Sequence, residues 1–209
     1  MWTYLNGEFI PKEEVRVSPF DRGFLFGDSV YEVIPSYDNK LFLFDEHLER
    51  LKNSLSITNI PIPDPLQDLH PLLMELLKKN QFSNQAIYIQ ITRGVDPVRS
   101  HVSASTTVPT LFMSSTELEI NPYRKSRHKE GLKVKLEEDI RWKRCDVKAT
   151  TLLPNVIPFH HEGESDIDEI LFHDGHKINE GSKSNFFFVF DDLIVTPPKE
   201  QNILLGVTR

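Results

Sequence analysis

The sequence predicts an α+β fold in which strands outnumber helices. Short segments of alternating apolar and polar residues, typical of half-buried strands, are separated by tight-turn dipeptides such as Asn6-Gly7 and Asp174-Gly175. Helical spacing of leucines is confined to two segments in the first half of the chain. Strands joined by tight turns, rather than alternating regularly with helices, argue against a doubly wound parallel sheet.

The first predicted strands form two hairpins. Residues 2–17 alternate around Asn6-Gly7, which suits a type I′ turn because both positions tolerate positive φ. A glycine-punctuated loop follows over 21–28, and a second strand pair is predicted at 30–37 and 41–44.

Two helices are predicted next. Asp45 is placed to cap the first by accepting a hydrogen bond from a free backbone N–H, and Leu48, Leu51 and Leu55 follow at helical spacing. The second helix is predicted from Pro65 to Lys79, with a broad leucine face that is typical of core packing.

The rest of the chain predicts mainly strands. They are expected at 86–92, 110–114, 131–136, 169–173, 177–179, 184–190 and 193–196, with a helix at 153–161. A stretch around 117–131 holds a proline and many charges without apolar periodicity, as linkers do. The predicted organisation is a small α/β domain over 1–117, a linker over 118–130 and a second domain over 131–209.

Composition points to a small-molecule partner. The net charge is −7 and lysine and arginine form no block, which argues against nucleic acid or an anionic membrane as the main partner. A single cysteine, Cys145, excludes an internal disulfide framework, and the first residues lack the regions of a secretory signal. No apolar run approaches the length of a membrane span, so we expect a cytoplasmic protein.

Lys148 is the first candidate for chemistry. It lies at a corner between a predicted strand and a predicted helix whose first turn contains Pro154, and a lysine there can point into a cleft. Val147 and Ala149 flank it, and partial desolvation would disfavour the ammonium form and leave a nucleophilic amine. A loop lysine is by itself far more often solvated, so evidence from other segments is needed to assign Lys148 a chemical role.

Two segments together support a chemical role for Lys148. The stretch 139–155 contains Lys148, and the motif Glu180-Gly181-Ser182-Lys183-Ser184-Asn185 is followed by Ile194-Val195-Thr196 and Leu204-Leu205-Gly206-Val207-Thr208-Arg209. In order and spacing they resemble the fold-type IV (class IV) aminotransferases, the family of D-amino-acid and branched-chain aminotransferases. The resemblance covers residues 2–209. It implies a two-lobed fold, with a small α/β domain and a β-barrel-like cofactor domain, and pyridoxal 5′-phosphate as the cofactor.

The resemblance also implies roles for individual residues. Lys148 would hold the cofactor aldehyde and move the substrate proton, and Glu180 would keep the pyridine nitrogen protonated. Gly206-Val207-Thr208 would form the phosphate-binding turn, and Arg50 would bind the same phosphate. The alternative for Arg50 is a surface ion pair with Glu46 at the i, i+4 spacing.

Three residues resemble the substrate-carboxylate site of the D-amino-acid branch of the family. They are Tyr31, in Val30-Tyr31-Glu32-Val33, and Arg99 and His101, which follow Thr92-Arg93-Gly94. Cations and a phenol around a carboxylate fix its orientation, and hence which hydrogen on Cα faces the lysine. In the family the arginine and histidine come from the neighbouring subunit, which implies a homodimer.

The resemblance therefore predicts amino-group exchange between D-amino acids such as D-alanine and 2-oxo acids such as 2-oxoglutarate. Branched-chain aminotransferase and aminodeoxychorismate lyase are the alternatives within the family, and the Arg-x-His spacing argues against both. No metal is expected, because His160-His161-Glu162 lacks a third ligand at a recognisable spacing.

Two departures from the family pattern affect these expectations. Lys183 stands where family members usually have serine, so its charge either perturbs the surroundings of Glu180 or faces solvent. Family proteins continue beyond the position of Arg209, which predicts an incomplete cofactor domain and either poor solubility of this chain alone or rescue by a partner. An inactive remnant of such an enzyme is the alternative from a different functional class.

Overall fold

The computed structural model describes residues 1–119, 131–160 and 166–209. The chain divides into two units, one of residues 1–120 with 148–150 and the other of residues 121–147 with 151–209. Most of the linker predicted over 118–130 lies outside the described residues, and the proposed domain boundaries remain a prediction.

A six-stranded antiparallel sheet forms the first unit. Its strands are β1 (Trp2–Leu5), β2 (Glu8–Pro11), β3 (Ser29–Tyr37), β4 (Lys40–Leu41), β5 (Asn84–Thr92) and β6 (Thr110–Glu117), in the order β2-β1-β6-β5-β3-β4. The β1–β2 hairpin turns at Asn6 and Gly7, with φ of 48° and 108°, as the sequence predicts. Along β3 the even-numbered residues are buried, so Tyr31 lies on the face opposite Glu32.

Three helices accompany this sheet: α1 (Arg22–Phe26), α2 (Phe44–Thr58) and α3 (Leu69–Asn80). α2 packs on β3, and α3 packs on β1 and β6. The predicted leucine faces supply the buried contacts, with Leu51, Leu55, Leu73 and Leu76 fully buried. This packing makes β3 a rigid support for the residues beside it.

The first unit differs from prediction at α1, which occupies most of the loop predicted over 21–28, and in three further details. Asp45 does not cap α2, because the helix begins at Phe44, two residues before the start that a cap at Asp45 would give. Leu43, in a left-handed conformation, precedes the helix, and no side chain caps it. Of the strand predicted at 41–44, only Leu41 lies in β4; residues 42 and 43 form bends, and Phe44 belongs to α2. The second helix begins as a 3₁₀ turn, Asp64–Asp68, because Pro71 lacks an N–H and fits only the first turn of an α-helix.

The second unit contains two small sheets. β7 (Val134–Glu138), β8 (Glu169–His173) and β9 (Ile178–Gly181) form one, with β7 parallel and β9 antiparallel to β8. β10 (Phe188–Phe190) and β11 (Leu193–Val195) form the other as a hairpin, and its first strand is shorter than predicted. Among the described strands none closes a barrel.

The helix predicted over 153–161 is a single turn, α4 (Leu153–Val156), followed by a 3₁₀ turn, Ile157–His160. Pro158 explains the early end, because it lacks the N–H that would continue the α-helical hydrogen bonds. His161 lies outside the described residues. Within the described ranges, no helix has the length and apolar character needed to cross a membrane.

Candidate active site

Lys148 is held at the edge of β3 by backbone hydrogen bonds. Its carbonyl accepts from the Tyr31 N–H at 3.0 Å, and the Thr150 N–H donates to the Ser29 carbonyl at 3.1 Å. The Lys148 N–H donates to Ser54 Oγ of α2 at 3.3 Å. This short segment thus runs along β3 like an extra strand, which fixes the backbone of Lys148 on a rigid element.

The Lys148 side chain lies over an aromatic surface. Its Nζ is 4.2 Å from the centroid of the Tyr31 ring, and Tyr31 stacks on Tyr88 with the ring centroids 5.7 Å apart. The Tyr88 hydroxyl donates to Gln90 Oε1 at 2.9 Å. Burial and, to a smaller extent, the neighbouring Tyr31 raise the pKa of Tyr88 to about 12, so Tyr88 stays neutral. Two of the predicted site residues, Lys148 and Tyr31, are therefore in contact.

Arg50 binds a buried carboxylate, Glu32, which is not among the predicted site residues. Its Nε and Nη2 donate to the two carboxylate oxygens of Glu32 at 2.9 and 2.6 Å, and His47 Nδ1 lies 3.1 Å from Glu32 Oε1. Burial opposes ionisation of Glu32, but hydrogen bonds from His47 and Arg50 outweigh it and lower its pKa to about 2. Glu32 thus orients the Arg50 guanidinium, and both the phosphate role of Arg50 and its alternative pair with Glu46 remain predictions.

The Glu32 contacts predict a specific loss of stability in acid. An acid whose pKa falls from 4.5 to about 2 on folding stabilises the folded state above pH 4.5, and that stabilisation disappears as the pH falls towards 2. The difference between these two pKa values corresponds to a stabilisation of the folded state by roughly 3 kcal/mol. In Glu32→Gln we expect a lower free energy of unfolding at pH 7 and a flatter dependence on pH, measured by urea unfolding between pH 7 and pH 3.

Glu49→Gln is the matched control, because Glu49 lies on the exposed side of α2. This variant should keep the wild-type pH dependence. A Glu32→Gln protein that lost stability in acid as steeply as the wild type would contradict the assignment.

Arg99 and His101 share one aromatic neighbour, Phe26. The Arg99 guanidinium carbon is 4.8 Å from the centroid of the Phe26 ring, and the His101 ring meets Phe26 edge-on with centroids 5.7 Å apart. The structure therefore brings these two predicted residues together around Phe26, which is not among the predicted site residues.

Glu180 is a buried carboxylate in the second unit, 5% exposed. Its Oε1 accepts from Arg141 Nη1, and its Oε2 accepts from the Leu204 N–H at 3.0 Å and from Asn185 Nδ2 at 3.3 Å. Asp139 holds Arg141 from the other side through two bonds of 2.8 Å. Burial raises the pKa of Glu180, and the Arg141 guanidinium opposes that rise. The carboxylate is thus held in one orientation by surrounding donors.

Asn185 connects Glu180 with the predicted phosphate turn. Besides Glu180 it contacts the Leu204 carbonyl at 2.9 Å, and its Oδ1 accepts from the Gly206 N–H at 2.9 Å. A Cβ on Gly206 would lie 2.3 Å from Asn185 Oδ1, so only glycine allows this approach. Because Asn185 uses the Gly206 N–H, the phosphate prediction depends on Val207 and Thr208.

A second buried glutamate, Glu169, organises the motif after Glu180. Its carboxylate accepts from the N–H and Oγ of Ser182, at 3.1 and 2.6 Å, and from Ser184 Oγ at 2.7 Å. Lys183 between these serines is exposed and lies over the Phe159 ring, with Nζ 5.4 Å from its centroid. This position agrees with the solvent-facing alternative for Lys183.

The predicted residues belong to two groups. Lys148, Tyr31, Arg50, Arg99 and His101 belong to the first unit, and Glu180, Gly206, Val207 and Thr208 belong to the second. In the described part of the chain, no set of three or more His, Cys, Asp or Glu side chains is arranged to hold a metal ion.

Solved structures show which fold these units follow. The branched-chain aminotransferase of the thermophilic archaeon Thermoproteus uzoniensis, solved with norvaline, matches with a TM-score of 0.82 at 24% identity, over 99% of this chain and 71% of that one. The branched-chain amino acid aminotransferase from Escherichia coli matches with a TM-score of 0.83 at 21% identity, over 99% and 70%. The fold is therefore that of the fold-type IV aminotransferases, and the predicted α+β class is confirmed.

Sequence comparison assigns the family. The family model "Amino-transferase class IV" matches residues 29–209. A D-alanine aminotransferase of Staphylococcus haemolyticus is 39% identical over 99% of this chain and 72% of its own length, and one of Listeria monocytogenes is 32% identical over 100% and 72%. The chain belongs to the class IV aminotransferase family, as its motifs predicted.

Proposed function

We propose that this chain is a pyridoxal 5′-phosphate-dependent transaminase that exchanges amino groups between D-amino acids such as D-alanine and 2-oxo acids such as 2-oxoglutarate. The proposal rests on the position of the Lys148 amine. It lies over the Tyr31 ring, and hydrogen bonds to β3 hold the backbone of Lys148 in place. The D-alanine aminotransferases among the relatives support the choice of D-amino acids.

The side chains present fit the chemistry of this cofactor. Lys148 supplies an amine for its aldehyde, Glu180 a buried carboxylate for its ring nitrogen, and Arg50 a guanidinium already oriented by Glu32 for its phosphate. Val207 and Thr208 would supply further phosphate donors. Once bound, the cofactor provides the electron sink that allows the Cα–H bond of the substrate to break.

The chain's own contribution to the reaction is proton movement and orientation. Lys148 would take the proton from the substrate Cα and later return it, as a positioned general acid and base. Because β3 and Ser54 fix its backbone, only the side chain has to move during this transfer. Across both half-reactions one amino group leaves the D-amino acid and enters the 2-oxo acid, so no other oxidant or reductant is needed.

Tyr31, Arg99 and His101 would form the substrate-carboxylate site. Charge-assisted hydrogen bonds from the arginine and histidine, with the phenol, would decide which hydrogen on Cα faces Lys148. Since the family supplies the arginine and histidine from the neighbouring subunit, we also propose a homodimer. The charge and the single cysteine favour a cytoplasmic enzyme acting on small molecules.

Branched-chain aminotransferase is the alternative within the fold, together with aminodeoxychorismate lyase. The structural likeness to branched-chain enzymes, at 21% and 24% identity, concerns the fold alone. The Arg99-Ser100-His101 spacing favours the D-amino-acid branch instead. An inactive protein of this fold is the alternative outside the enzymes.

Three substrates distinguish these possibilities. The full chain is loaded with cofactor, and D-alanine, its enantiomer L-alanine, and L-leucine are each offered with 2-oxoglutarate while glutamate of each configuration is quantified. We expect D-glutamate from D-alanine, with kcat/KM at least about a hundred-fold above that for either L-amino acid. Faster turnover of L-leucine would support the branched-chain alternative, and no turnover of any substrate would leave the lyase and the inactive protein as the alternatives.

A further inference from the structure

The α1 helix carries two side chains that hold the segment containing Arg99 and His101. Arg22 Nη1 donates to the Ser100 carbonyl at 2.7 Å, and its Nη2 donates to the His101 carbonyl at 3.1 Å. Phe26, one turn later, contacts two guanidinium groups, with its ring centroid 4.9 Å from Arg22 Cζ and 4.8 Å from Arg99 Cζ. The helix therefore contacts both the backbone of the segment and its side chains.

Arg22 is itself fixed by two carboxylates. It is 5% exposed, its Nε lies 2.8 Å from Asp28 Oδ2, and its Nη1 lies 2.9 Å from Asp96 Oδ2. Asp96 also accepts from Thr107 Oγ1 and from the Ala104 N–H, which ties the far end of the same loop to this cluster. A planar guanidinium can meet both carboxylates and both carbonyls at once, whereas the single ammonium of a lysine cannot.

The contact with Phe26 also restricts how Arg99 can bind a ligand. A guanidinium that lies over an aromatic ring presents one face to the ring, and its N–H donors point outwards in the guanidinium plane. The edge-on contact of His101 with the same ring restricts the position of the imidazole. Two donors are thus oriented by one phenylalanine.

We propose that Arg22 and Phe26 are positioning residues that make this chain selective for ligands with an α-carboxylate, because they set the places of Arg99 and His101. The inference rests on the proposed function, in which those two residues bind the substrate carboxylate. Arg22 fixes their backbone and Phe26 fixes their side chains. Loss of either should weaken recognition of a carboxylate without changing the chemistry at Lys148.

The test compares Phe26→Leu and Arg22→Lys with Phe24→Leu, a control on the same helix whose side chain is 75% exposed. The cofactor-loaded full chain is assayed with D-alanine and with D-alaninol, which has an alcohol in place of the carboxylate. We expect both test variants to raise KM for D-alanine by about ten-fold to a hundred-fold, with kcat lowered less than about three-fold. The half-reaction with D-alaninol and the cofactor content should match the wild type.

Two further measurements test whether Phe26 positions Arg99 and His101. The dissociation constant of 2-oxoglutarate, measured by calorimetry, should rise with KM, and the ring-proton resonances of His101 should shift in Phe26→Leu because the aromatic ring beside it is gone. Equal losses for D-alanine and D-alaninol would show a general defect and overturn the inference, as would an unchanged KM in Phe26→Leu.

Failure of the proposed function gives a different result. A wild-type chain that does not transaminate D-alanine refutes that function, and the inference is then decided by the 2-oxoglutarate titration. An unchanged dissociation constant in Phe26→Leu, or no binding of 2-oxoglutarate by the wild type, overturns it. Should Arg22→Lys fail to fold, Phe26→Leu still decides, because it leaves both ion pairs of Arg22 in place.

Discussion

Replacing Lys148 with alanine is expected to abolish transamination, with kcat at least about a thousand-fold lower. The amine would be both the attachment point of the cofactor and the base for the substrate Cα proton, so one substitution removes two functions. The backbone bonds that hold the segment to β3 do not involve the side chain, so we expect the variant to fold. Turnover of D-alanine with 2-oxoglutarate measures the loss.

Lys143→Ala is the matched control, since Lys143 lies in the same loop and its side chain is exposed. It should keep wild-type turnover. Borohydride reduction of the cofactor-loaded wild type, followed by peptide mapping, should place the cofactor on the peptide that contains Lys148. A label on another lysine, or more than a tenth of wild-type kcat in Lys148→Ala, would remove the basis of the proposed function.

Local signals in the sequence were sufficient for much of the fold. The Asn6-Gly7 turn, the alternation along β3 and the leucine faces of α2 and α3 each depend on neighbours within a few residues, and each is found in the structure. The predicted helix boundaries were less accurate where a proline interrupts the apolar periodicity. Pro71 could have corrected the start of α3, because a helix that began at Pro65 would place Pro71 in its interior.

The supporting residues of the site depend on contacts between distant parts of the chain. Glu32 meets Arg50 across 18 residues, and Arg22 meets Asp96 across 74. No periodicity marks such pairs, since a buried carboxylate on a strand looks in sequence like an exposed one. Resemblance to the family motifs was sufficient to predict Lys148 and Arg99 as site residues. The residues that orient them could be identified only from the structure.

Replacing Glu180 with glutamine is expected to lower kcat by about a hundred-fold to a thousand-fold, the cost of removing a preorganised charge from a buried site. An amide cannot hold a proton on the pyridine nitrogen as a carboxylate can, so the electrons released at Cα would lose their stabilisation. KM should change much less than kcat, because the residues proposed to bind the substrate are unaltered. The half-reaction with D-alanine, followed under single-turnover conditions, isolates this step.

In Glu180→Gln, the effect on stability has to be separated from the effect on kcat, because Arg141 loses one of its two acidic partners. Loss of one member of a buried ion pair costs about 3 kcal/mol when no other partner remains. Asp139, however, keeps two bonds of 2.8 Å to Arg141, so we expect a smaller cost and a folded, cofactor-loaded protein. Glu138→Gln, at an exposed position of β7, should leave kcat unchanged. If Glu180→Gln kept normal cofactor content and lost less than about three-fold in kcat, Glu180 would be a structural partner of Arg141 rather than the partner of the ring nitrogen.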